Sequence, residues 1–345
     1  SGAKFSMPGM MDTVLNLGLN DKSVEGLARS TGNDRFAYDS YRRFISMYGR
    51  IVLGLDGEVF EHELEKAKLN ANVRNDAEIP AEVLKQLCQV YKTAIAQETG
   101  KPFPQDPTKQ LRGAVEAVFR SWNGPRAIAY RVREKISHEL GTAVNVQAMV
   151  FGNRDDNSGT GVGFTRNAAT GEAKPYGDFL VNAQGEDVVA GIRNTFSLDE
   201  LNRTDPTSFN ELMKIMRKLE THYRDLCDIE FTVEKGKLWM LQTRVGKRTA
   251  AAAFRIATQL VDESLITMDE ALIRVNGAQL AQLMFPQFDL SGSVKEIARG
   301  IPASPGAAVG EAVFDSKRAF DLARSGKKVI LVRRETSPDD LVGMV

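Results

Sequence analysis

The sequence is poor in the residues that most often announce chemistry. Its 345 residues hold two cysteines, three histidines and two tryptophans. Cys88 and Cys227 each sit in a helix-like pattern, so two buried thiols are expected, and neither a disulfide framework nor a zinc site. His62, His138 and His222 lie in charged, helix-like surroundings, and no two stand at metal-ligand spacing. No serine occupies a nucleophile elbow. Neither a P-loop nor a G-x-G-x-x-G fingerprint is present. Lysine plus arginine equals aspartate plus glutamate at 45 each, which removes any global electrostatic case for nucleic acid or anionic membrane. No apolar run reaches the roughly 18 residues of a bilayer span. A cytoplasmic globular protein with two or three domains is expected.

What is present changes texture along the chain. A loop punctuated by Pro8 and Gly9 opens it. A helical region to about residue 137 follows, with Tyr41, Phe44, Ile45, Tyr48, Ile51 and Val52 at helical spacing. A second helix carries Val83, Leu87, Val90 and Tyr91 and stops at Gly100. A third starts with Asp106 as cap and Pro107 at its first position, with Leu111, Val115, Val118, Phe119 and Trp122 as its apolar face. From Ala143 the pattern reads as strands: Ala143 to Val150, Gly161 to Thr165, and Phe179 to Val181. A long helix is expected from Ser208 to Asp225, then a hairpin, Ile229 to Val233 and Leu238 to Thr243, turning at Lys235-Gly236. Thr267 with Glu270 forms a capping box. The stretch Ile301-Pro302-Ala303-Ser304-Pro305-Gly306 marks a boundary. Neither end looks natural: Ser1-Gly2-Ala3 reads as mid-domain sequence, and Val329 to Val332 as a strand that should feed a larger domain. A piece of a longer protein is expected.

The hairpin is the most informative element. Asp228 and Glu230 alternate with Ile229, Phe231 and Val233, which makes one face acidic and the other apolar. Gln242 and Arg244 share a face of the return strand. A three-residue turn ending in Gly236 puts Glu230 and Gln242 on one side, and a two-residue turn puts them on opposite sides. The polar face reads either as a Mg-nucleotide site, with carboxylates on the metal and arginine and amide on phosphate or ribose, or as a solvated face. Gly9 lets backbone N–H groups approach an anion, or merely turns the chain. Ser158-Gly159-Thr160-Gly161 is weak alone. Glu186 and Asp187 bind ribose or adenine, or cap the next turn.

Taken in order, these segments resemble the pyruvate phosphate dikinase family. The most specific match is Ser6-Met7-Pro8-Gly9-Met10-Met11-Asp12-Thr13, continuing to Leu15-Asn16-Leu17-Gly18-Leu19-Asn20. Phe36 to Phe44, Val118 to Trp122, Asn145-Val146-Gln147, Ser158 to Val162, Phe164-Thr165-Arg166-Asn167, Asn182 to Gly191, Leu241-Gln242-Thr243-Arg244 and Pro302 to Gly306 complete it. The related phosphoenolpyruvate synthases share the hairpin and lack the Ser-Met-Pro-Gly run.

The resemblance implies an α+β or α/β fold: an ATP-grasp domain over 1–285 with a helical subdomain near 20–137, a linker at 286–300, and the start of a swivelling phosphohistidine domain over 301–345. It implies ATP contacts at Gly9, Glu186, Asp187, Asp228, Gln242 and Arg244, and Mg2+ at Glu230 and Asp228. The implied reaction converts ATP, phosphate and pyruvate to AMP, diphosphate and phosphoenolpyruvate in a homodimeric parent. An ATP-binding lysine upstream and a carrier histidine downstream are implied and lie outside the sequence, so no catalytic residue is expected here. Lys4 stands where arginine is usual and Ala168 where proline is usual. A phosphoenolpyruvate synthase and a nucleotide-binding remnant without chemistry are the rivals.

Overall fold

The computed structural model describes residues 2–5, 7, 9–189, 195–284, 308–333 and 340–344, apart from the side chains of Glu186 and Val189. The chain divides into two compact units, Ser1–Met149 and Val150–Val345.

The described part of the first unit is built from helices: α1 (Ser23–Thr31), α2 (Asp34–Ile51), α3 (Glu58–Ala71), α4 (Ala81–Thr99), α5 (Pro107–Ser121) and α6 (Pro125–Glu134). Their ends follow local chemistry. Asn33 accepts from the backbone N–H of Phe36 at the start of α2, and Asp106 from that of Thr108 at the start of α5. Gly100 closes α4 in the left-handed conformation, φ 68°. The buried stripe of α2 supplies Tyr41, Phe44 and Tyr48, which meet Phe103 edge-on at 6.3, 5.7 and 5.6 Å between ring centres. Beside this aromatic core runs a buried ionic seam. Arg42 Nε donates to Asp39 at 2.8 Å, Arg42 Nη2 to Asp76 at 2.8 Å, and Arg43 Nε to Asp39 at 3.2 Å. Burial pushes the Asp39 carboxyl up, but Arg42, Arg43 and Arg35 overcome it and hold it below the usual range.

Two expectations fail in this unit. Phe119, placed on the apolar face of α5, is half exposed because that face is narrower than its hydrophobic run. Residues 143–150 form no strand: the alternation is real, but a single backbone bond, from the Gly2 N–H to Ala143 O at 2.7 Å, is no ladder, and Val146 is largely exposed.

The second unit holds a five-stranded antiparallel sheet in the order β3-β2-β1-β4-β5. The strands are β1 (Gly159–Phe164), β2 (Tyr176–Val181), β3 (Phe196–Ser197), β4 (Cys227–Glu234) and β5 (Lys237–Val245). Around it lie α7 (Gly185–Val189), α8 (Leu198–Thr204) and α9 (Pro206–Tyr223). Asp205 caps α9, accepting from Ser208 at 3.0 Å. Cys227 is buried as expected, but on β4 rather than on a helix.

One face of the sheet packs Phe179, Ile229, Phe231, Val233 and Leu238 against Leu198, Leu201, Leu212 and Met216. On that face the central strand β1 offers only glycine. A Cβ on Gly159 would lie 2.3 Å from the Phe179 ring, one on Gly161 2.5 Å from Phe231, and one on Gly163 2.6 Å from Met216. Phe179 and Phe231 therefore close over Gly161, parallel to within 2° and 6.0 Å apart. These glycines make room for aromatic rings, which is the role of the Ser158-Gly159-Thr160-Gly161 segment in the fold.

Helices α10 (Ala250–Asp262), α11 (Met268–Arg274) and α12 (Gly277–Leu283) follow, with the Thr267–Glu270 capping box present. Further on come β6 (Glu311–Val313), α13 (Ser316–Arg324), β7 (Val329–Leu331) and α14 (Leu341–Met344), with β6 and β7 paired in parallel. The expected boundaries at 286–300 and 301–306 lie outside the described residues. The mixture of helices and an antiparallel sheet is α+β. No described helix is long and apolar enough to cross a membrane.

Candidate functional site

The geometry of the candidate site is decided by the β4–β5 hairpin. Lys235 and Gly236 both take positive φ, 52° and 71°, so the turn has two residues and joins Glu234 directly to Lys237. Such a turn alone would set Glu230 opposite Leu241 and send Gln242 to the other face. The register instead shifts between Glu230 and Phe231, leaving Leu241 as the extra residue of a bulge. Beyond it Glu230 pairs with Gln242 and Asp228 with Arg244. All four side chains therefore share one face, by a two-residue turn plus a bulge rather than by the three-residue turn.

Arg244 sits between the carboxylates. Its Nε donates to Asp228 Oδ2 at 3.1 Å and its Nη2 to Glu230 Oε1 at 2.6 Å. No other hydrogen bond from a described residue reaches either carboxylate. Burial pushes the Asp228 carboxyl up in pKa, and the Arg244 charge does not fully counter it. Gln242 is exposed. Pairing across β1 adds a residue that the sequence reading missed: Asp178, Val162, Glu230 and Gln242 form one row on this face. Asp178 accepts from Thr195 Oγ1 at 2.9 Å. The alternation around Tyr176, Asp178 and Leu180 was the available signal.

The other expected residues lie elsewhere. Asp187 is buried and accepts from the backbone N–H of Gln184 at 2.9 Å, so it caps α7. The Glu186 side chain lies outside the described residues. Gly9 belongs to the first unit, where φ 69° in a turn closed by Met10 N–H on Met7 O requires glycine. His62, His138 and His222 are exposed.

No group of three or more metal-ligating side chains occurs among the described residues. Asp228 and Glu230 are a pair of hard-oxygen donors on one face. Mg2+ is commonly held by one or two carboxylates, with phosphate and water completing the shell. The donor set fits a cation that arrives with a nucleotide better than a closed protein cage.

The model that matches this chain, over residues 2–200 and 193–264, describes an AMP/ATP-binding domain. The chain belongs to the pyruvate phosphate dikinase AMP/ATP-binding domain family. It is 54% identical to pyruvate, phosphate dikinases of Giardia intestinalis and Rhizobium meliloti, and 51% identical to that of Clostridium symbiosum. Each match covers 100% of the chain and 40% of the relative, so the chain spans well under half the length of these proteins.

Proposed function

We propose that this chain supplies the ATP side of a dikinase that converts ATP, phosphate and pyruvate reversibly to AMP, diphosphate and phosphoenolpyruvate. The observation that carries the reading is the convergence of Asp228, Glu230, Gln242 and Arg244 on one sheet face. In an ATP-grasp arrangement Asp228 and Glu230 would hold Mg2+, whose charge would offset that of the transferring phosphoryl group. Arg244 swings from carboxylate to phosphate, for which its planar fork suits it. Gln242 addresses the nucleotide, and Asp178 flanks it. Glu186 and Asp187 serve the adenosine side, Asp187 by fixing the turn it caps. Gly9 offers its backbone to phosphate. The accepting histidine is proposed to lie outside these 345 residues, with residues 301–345 beginning the domain that bears it and a cytoplasmic homodimer as parent.

The test uses the full-length dikinase with Glu230→Gln. Loss of one such electrostatic group costs about 10²–10³ in rate. ATP–AMP exchange should fall by that factor while pyruvate–phosphoenolpyruvate exchange persists. Equal loss of both exchanges would mean that Glu230 serves the fold and not the metal.

A further inference from the structure

Loop 151–158 is tied on two sides. Toward the hairpin tip, Arg154 Nη1 donates to Glu234 Oε1 at 2.7 Å and the Phe151 N–H to Glu234 Oε2 at 3.3 Å. The amides of the turn itself, Lys235 and Gly236, donate to Ser158 Oγ at 3.1 Å and Asn157 O at 3.0 Å. Toward the segment that leads into α7, the Asn182 N–H donates to Ser158 O at 2.8 Å and the Ala183 N–H to Gly152 O at 3.0 Å. Gln184 Nε2 donates to Asn153 Oδ1 at 3.2 Å. A Cβ at Gly152 would stand 2.4 Å from Ala183 O and 2.8 Å from Gly159 O, so the backbone is pinned here.

A two-residue hairpin turn needs no third partner, because its strands close it. Surface loops rich in Asp, Asn and Ser are ordinarily mobile, and ordering one costs conformational entropy. Here the same seven bonds join the strand that carries Glu230 to the segment capped by Asp187.

We propose that loop 151–158 is a brace for the nucleotide site, with Arg154 and Glu234 as its positioning residues. It sets the height of the hairpin's carboxylates relative to the Asn182–Asp187 segment. This rests on the functional reading above in one respect only, namely that a nucleotide is what the two segments share.

Two measurements separate the claims. The first is amide hydrogen exchange on this chain. Glu234→Ala should speed exchange at Lys235 and Gly236 and, across the loop, at Asn182 and Ala183, by about tenfold, as for one lost hydrogen bond to a charged group. Ser158→Ala should repeat the pattern more weakly without touching the ion pair. Faster exchange confined to the hairpin tip, with Asn182 and Ala183 unchanged, overturns the brace. The second is ATP–AMP exchange by the full-length dikinase. Glu234→Ala should raise the KM for ATP about tenfold with kcat nearly unchanged, and the charge-swapped pair R154E with E234R should recover most of it. A uniform loss of kcat that the swap does not rescue assigns the pair to folding and overturns its positioning role. Should Glu230→Gln leave ATP–AMP exchange intact, the nucleotide reading alone fails, and exchange at Asn182 and Ala183 still decides the brace.

Discussion

Two arginines of the second unit each face two carboxylates, and they are satisfied to different degrees. Arg166, just past the end of β1, is 2% exposed. All five of its N–H donors are taken: Nε and Nη2 bond Glu220, Nη1 and Nη2 bond Glu263, and Nη1 also bonds Gln259 Oε1. That knot fastens the sheet to α9 and α10. Arg244 makes two such bonds, on a face whose neighbour Gln242 is open to solvent, and one of its carboxylates has a raised pKa. The composition of the two clusters is nearly the same, so it cannot assign them roles. Satisfaction separates them: Arg166 has every donor placed and is fixed, whereas Arg244 makes two bonds, as its proposed exchange of carboxylate for phosphate requires.

The sharpest way to break this contrast is Arg166→Ala. Removing the buried guanidinium leaves Glu220 without its partner while Glu263, 42% exposed, can turn to water, so the cost should be about 3 kcal/mol, the low end for a broken buried pair. Urea denaturation of the chain measures it. Lysine at 166 should recover only part, because it cannot reproduce the fork. A loss below about 1 kcal/mol would put Arg166 in the ordinary surface class and erase the distinction.

A smaller effect is expected at the glycine that separates the two faces of the sheet. In Gly161→Ala the new methyl would lie 2.5 Å from the Phe231 ring and 2.7 Å from Asp178 O. Overpacking of this kind costs about 1–3 kcal/mol. Since Phe231 sits at the bulge that pairs Glu230 with Gln242, near-UV dichroism of the aromatic stack and nucleotide affinity should fall together. Lost stability with unchanged affinity would show that the polar face does not depend on the stack beneath it.

The contrast also explains what was legible in the sequence. Alternation along Asp228 to Val233 exposed the acidic face, because strand periodicity is local. The register was not local: it depends on a bulge at Leu241, and the turn by itself predicts the wrong face. Asp178 escaped notice because its row exists only through β1. Arg166 was visible as part of a motif but not as a knot, since its carboxylates lie 54 and 97 residues away. Residues 143–150 misled for the converse reason, having a strand's pattern without a ladder to join.

Asp39 in the helical unit and Asp228 on the hairpin are both carboxylates beside arginine, yet their pKa values move in opposite directions. For Asp39 the folded value is depressed. Its stabilising contribution is complete above the unfolded value, near 3.9, and is lost as pH falls through the folded one. For Asp228 the folded value is raised by burial. The folded state then takes up a proton before the unfolded chain does, so ionised Asp228 opposes folding at neutral pH and the opposition fades on acidification. Asp228→Asn should therefore stabilise the chain slightly at pH 7, by less than about 1 kcal/mol because the Arg244 charge offsets most of the burial, with the gain shrinking toward pH 4. Urea midpoints of the variant and the parent at pH 7, 5.5 and 4 test this. A variant less stable at pH 7, or a gain that grows with acidity, would mean that Arg244 holds Asp228 as firmly as Arg42 holds Asp39. The hairpin would then be one more closed knot. The predicted result leaves a carboxylate that is costly to keep charged in the folded chain, as the proposed cation site requires.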